Sequence, residues 1–149
     1  MLVKKLLTVL CLGMIVFFSV TFVVPASATS PKCSGTATWG KIRYQVCFRY
    51  NCDSRNCIAR GYLGLINTAT SARTVTWQLD YWWLDGRIWP DDTDTVTLAA
   101  GEQRTIFSDQ SDQYWQCGAH TQRVEYLKVR YDSAGWSPTI SATDTLFCA

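Results

Sequence analysis

His120 is the one histidine of the chain, and it lies in Cys117-Gly118-Ala119-His120 with no serine beside it. Hydrolysis through a positioned base also needs a nucleophile, and no G-x-S-x-G elbow is present to supply one. His120 therefore reads as a surface loop residue. Glycosidase chemistry would need two carboxyls facing each other across a cleft. The only glutamates are Glu102, in a turn, and Glu125, in a strand, while the aspartates are scattered mostly through turns, so no pair stands out. No catalytic residue emerges, and the expectation is a protein that is not an enzyme. A small hydrolase is the weakest of the classes considered.

Metal chemistry has two candidate clusters. Asp91-Asp92-Thr93-Asp94, with Asp85 nearby, is the densest group of oxygen ligands for calcium. It lacks the glycine and closing glutamate of an EF-hand loop, and aspartates commonly form turns through their own local hydrogen bonds. Cys47, Cys52 and Cys57 recur at intervals of five. Zinc sites close with knuckles on two sides, and the only imidazole here is the distant His120. The sequence predicts no metal and no cofactor.

Aromatic residues offer recognition rather than reaction. Seven tryptophans occur, and within Thr74 to Trp83 a strand would put Val75, Trp77, Leu79, Tyr81 and Trp83 on one face. Thr74, Thr76, Gln78, Asp80 and Trp82 would share the other. Trp77 and Trp83 then belong to the core. Trp82, beside the hydrogen-bonding Gln78 and Asp80, is a stacking platform for a sugar ring or for another protein, with Trp89, Tyr114 and Trp115 as further contacts. The competing reading packs Trp82 under a loop or against Trp39 or Trp89.

The N-terminus places these residues in a compartment. Lys4 and Lys5 precede an apolar run from Leu6 to Val24, and Ala26-Ser27-Ala28 follows, the pattern of a secretion signal cleaved after Ala28. The run is also long enough to cross a bilayer, so an uncleaved anchor in the cell membrane is the alternative. Cys11, inside the run, reads as a small hydrophobe. Export makes the protein secreted, with no stable membrane insertion once the signal is removed. It also turns Cys33, Cys47, Cys52, Cys57, Cys117 and Cys148 into a disulfide framework. Six cysteines allow 15 pairings. Spacing favours Cys52 with Cys57 across a four-residue turn, Cys33 with Cys47 at the N-terminus, and Cys117 with Cys148.

With the leader go Lys4 and Lys5, so 14 basic residues become 12 against 12 acidic ones, and the formal charge drops from +2 to zero. Net charge thus gives no support to nucleic-acid binding, which rests on a concentrated basic field. The stripe of Lys41, Arg43 and Arg49 reads as the solvated side of a strand close to a sheet edge.

Residues 1–28 form the leader, 29–35 a short polar lead, and 36–149 a single domain. Alternating strands are predicted over Thr38–Tyr50, Ile58–Asn67 and Thr74–Trp83, with Asp85-Gly86 as a tight turn. Ile88 and Trp89 begin a short strand that Pro90 stops, and Asp94–Ala99, Gln103–Phe107, Arg123–Tyr131 and Thr139–Phe147 follow. Gly61 and Gly64 mark a close approach of another backbone or a bulge. Ser108–Thr121 is a long loop. Cys47 falls on the polar side of its strand, so its partner should come from an edge or a loop.

About eight short strands and no amphipathic helix predict an all-β, two-sheet antiparallel sandwich, because one open sheet would leave an apolar face in water. The layout resembles an immunoglobulin-like or fibronectin-type sandwich over about Thr36 to Cys148, in architecture alone. A small closed β-barrel is the alternative. The expected function is a non-catalytic extracellular binding module whose partner is a glycan or a protein. The alternative is a secreted effector, an inhibitor or toxin-like protein acting through the 108–120 loop.

Overall fold

The computed structural model describes residues 31–82, 87–109, 113–116 and 121–146. Across them, two-residue periodicity becomes the strands β1 (Lys32–Cys33), β2 (Ala37–Trp39), β3 (Ile42–Cys52), β4 (Asn56–Asn67) and β5 (Arg73–Trp82). These are followed by β6 (Ile88–Leu98), β7 (Gln103–Phe107), β8 (Gln113–Gln116), β9 (Thr121–Tyr131) and β10 (Ile140–Leu146). One six-stranded sheet runs β1-β3-β4-β7, with β2 also pairing β3 and β8 also pairing β4; a four-stranded sheet runs β10-β9-β5-β6. Every pairing is antiparallel.

The sheets are open and stack face to face, which is the predicted sandwich and not the closed barrel. Ile42, Tyr44, Val46 and Phe48 of β3 and Leu63 and Leu65 of β4 project from one sheet. Val75, Trp77 and Leu79 of β5 and Leu127 and Val129 of β9 project from the other, and none of these side chains exceeds 2% exposure. Their burial is the main term holding the layers together. Asn67 closes one end of the core: its buried amide donates to the carbonyls of Ser71, Leu98 and Ala99 at 2.9, 3.1 and 2.9 Å. The Tyr44 hydroxyl donates to Pro138 O at 2.9 Å, fastening the segment before β10 to the six-stranded sheet.

Two expected disulfides are present, Cys33–Cys47 and Cys52–Cys57. Cys33 lies opposite Cys47 in the β1–β3 register, so the partner does come from a short edge strand. Cys52 and Cys57 are opposite each other at the end of the β3–β4 hairpin. Cys117 and Cys148, together with the 1–28 leader, Cys11, Trp83, Asp85 and His120, lie outside the described residues.

Two expectations are corrected. Pro90 does not stop its strand: β6 continues through it from Ile88 to Leu98. As an edge strand β6 tolerates the missing N–H, and Asp91 is an extra residue between Pro90, opposite Asp80, and Asp92, opposite Leu79, which is a β-bulge. The 108–121 segment contains β8, which pairs with Asn56–Ala59 of β4. The arginine-bearing β3 lies next to the short edge strands β1 and β2, with β4 on its other side.

Candidate functional site

The register assigns the residues of β5 to faces. Its inward residues Val75, Trp77, Leu79 and Tyr81 lie opposite Tyr131, Val129, Leu127 and Glu125 of β9. Gln78, Asp80 and Trp82 therefore share the outer face of the four-stranded sheet, where they lie opposite Lys128, Tyr126 and Val124. All three are partly buried. Gln78 Nε2 donates to both carboxylate oxygens of Asp80 at 3.0 and 2.9 Å, so the pair presents a pre-ordered polar group rather than two loose chains.

Trp136 extends this face. Its ring lies 5.1 Å from Lys128 Nζ and 4.9 Å from Arg130 Cζ, and it is 37% exposed. Sequence pattern alone missed it because Trp136 follows a turn, off any strand whose alternation could assign it to a side. Trp89 does not join the group: it lies opposite Tyr81, on the other side of the sheet from Trp82, and is 41% exposed on the edge strand. Tyr114 and Trp115 belong to β8, in the six-stranded sheet, opposite Ile58 and Cys57. The six candidate contacts thus divide, with Gln78, Asp80 and Trp82 together and the other three elsewhere.

A second constellation went unnoticed in the sequence. Arg123, Glu125 and Asp91 are buried, at 1%, 0% and 3% exposure. Arg123 donates to Glu125 Oε2 through Nη2 at 2.7 Å and Nε at 3.2 Å, and its guanidinium stacks 4.3 Å from the Tyr81 ring centre. Ser108 Oγ donates to Asp91 Oδ1 at 3.0 Å. Glu125 Oε1 and Asp91 Oδ2 converge over Gly61, where a methyl group would overlap the first and lie 2.8 Å from the second.

Burial pushes the Glu125 carboxyl well above its usual range; Arg123 opposes this, and the Asp91 carboxyl beside it reinforces it. The raised Glu125 carboxyl thus meets the Asp91 carboxyl on one side and the Arg123 guanidinium on the other. Two adjacent carboxyls in different environments can do acid–base work. These two are shielded from solvent between the sheets, so the arrangement serves the fold in the state observed. A signal did exist: Glu125 occupies the same alternation as Leu127 and Val129, which marks a carboxyl aimed at the core.

The acidic run Asp91–Asp94 forms strand rather than turn, and among the described residues no three His, Cys, Asp or Glu side chains converge as a metal would require. Asp92 Oδ2 instead accepts from Asp109 N at 2.8 Å, tying β6 to the end of β7. Neither a protein-family model nor any curated protein matches the chain.

Proposed function

We propose that the protein is a secreted, non-catalytic binding module of immunoglobulin-like layout whose outer four-stranded face recognises a neutral glycan. The observation that carries the reading is that Gln78, Asp80 and Trp82 share one face with Tyr126 and Lys128, and Trp136 lies over the end of that face. A flat ring stacks on the C–H face of a sugar, while an ordered amide–carboxylate pair exchanges hydrogen bonds with its hydroxyls. The two disulfides agree with an oxidising location.

Titration of intrinsic tryptophan fluorescence with xylan, β-glucan and soluble chitin fragments tests this. The expected result is a saturable shift with at least one of them that Trp82→Ala reduces by about tenfold in affinity, the loss of one stacked ring. No shift with any glycan, or the same shift in the variant, would overturn the reading.

A further inference from the structure

The sandwich confines the carboxylates of its strands to one sheet. No strand of the six-stranded sheet contains an aspartate or glutamate, and the charged residues of its strands are Lys32, Arg43, Arg49, Arg60 and Arg104. The strands of the four-stranded sheet hold Asp80, Asp91, Asp92, Asp94, Glu125 and Asp144 alongside the cations Arg73, Arg123, Lys128 and Arg130. A chain without net charge after loss of its leader thus carries a basic side that composition conceals.

Three of those arginines point outward. Arg43 and Arg49 alternate with the core residues of β3, and Arg60 does so on β4. Arg49 and Arg60 lie directly opposite each other in the β3–β4 register. Like charges in opposed positions disfavour strand pairing. Here no carboxylate from their own sheet compensates them.

Both guanidiniums instead flank one aromatic ring. Arg49 Cζ lies 5.0 Å and Arg60 Cζ 5.8 Å from the centre of Phe107, which is 39% exposed and packs 5.1 Å from the ring of Tyr62. Arg60 is held in place by Nε and Nη2 donating to Ser108 O at 2.9 and 2.5 Å. Farther along the same face, the missing side chain of Gly64 leaves a depression of about 70 Å³ lined by Thr36, Arg43, Gln45 and Gln103 together with Leu65 and Ile66. At about 3.4 Å per strand residue, Arg43 lies some 20 Å from Arg49.

We propose that this face binds an acidic polysaccharide of the uronate type, independently of the aromatic face on the other sheet. Arg49 through its planar fork and Arg60 through the Nη1 side that Ser108 leaves open engage a ring carboxylate, the exposed part of Phe107 contacts the sugar, and the depression at Gly64 receives a unit farther along the chain beside Arg43. Charge complementarity selects the polyanion. The wide spacing of the arginines suits an extended chain with one carboxylate per sugar better than a densely sulfated one.

The full protein would be titrated by calorimetry with polygalacturonate oligomers, neutral dextran oligomers and polyglutamate, at low and at physiological salt. Binding to polygalacturonate that weakens with salt is expected, with about a tenfold loss in Arg49→Gln, in keeping with one charged hydrogen-bonding group. Arg104→Gln removes the same charge from the opposite side of β7 and should leave the affinity within twofold. Unfolding curves of both variants verify the fold, and if Arg49→Gln is unfolded, Arg43→Gln takes its place. The proposal is overturned by no binding, by equal losses in the two variants, or by polyglutamate binding as tightly as polygalacturonate.

Discussion

Glu125 Oε1 of one sheet occupies the space that a side chain on Gly61 of the other would fill. The contact is possible only because residue 61 lacks a Cβ. It joins the sheets at the point where their apolar core gives way to a polar layer. Gly61→Ala forces apart a buried carboxyl pair and should destabilise by about 2–4 kcal/mol, combining overpacking with a disturbed buried charge. At Gly64 a Cβ would meet nothing within 4 Å, so Gly64→Ala should change stability by less than about 1 kcal/mol. Urea unfolding of the two variants measures the contrast.

The raised Glu125 carboxyl makes stability depend on pH with a defined sign. A group that binds its proton more tightly when folded contributes stability fully present below its unfolded value, near 4.5, and lost as pH rises through the folded value. Wild-type stability should therefore fall from mildly acidic toward alkaline pH. Glu125→Gln keeps the shape, cannot ionise, and should flatten this slope. Urea midpoints of both proteins between about pH 5 and 9 report it, and parallel curves would refute the assignment.

Arg123 donates two hydrogen bonds to Glu125 in the interior. Arg123→Met leaves that carboxyl buried without its partner, a loss of about 3–5 kcal/mol. The double change Arg123→Met with Glu125→Leu removes both members of the pair and should recover part of that loss, since apolar replacements of buried pairs are often close to neutral. Chemical denaturation of the single and double variants decides whether the coupling exists.

The two described disulfides close loops of different length, with sequence separations of 14 for Cys33–Cys47 and 5 for Cys52–Cys57. On the chain-entropy account their removal costs about 3 and about 2 kcal/mol respectively. Replacing each pair by alanines and comparing melting temperatures should rank them in that order.

Much of the fold was legible in local pattern. The alternation in Ile42–Phe48 and Thr74–Tyr81 needs no partner to be recognised, and it assigned Trp77 to the core and Trp82 to the opposite face. The Cys52–Cys57 link followed from a turn short enough to force proximity. Edge position was not legible: Pro90 reads as a terminator until β6 is seen to have a neighbour on one side only. Arg49 looked like an ordinary solvated residue because its partners, Arg60 and Phe107, come from other strands.

Period and composition, which are properties of a strand and its own neighbours, were enough to specify β-layers with one wet and one dry side. The meeting of Asp91, Glu125 and Gly61, the grouping of arginines around Phe107, and the confinement of strand carboxylates to one sheet required the chain to be paired and stacked. These relations join residues far apart in sequence, and hydrogen-bond register and sheet packing set their distances.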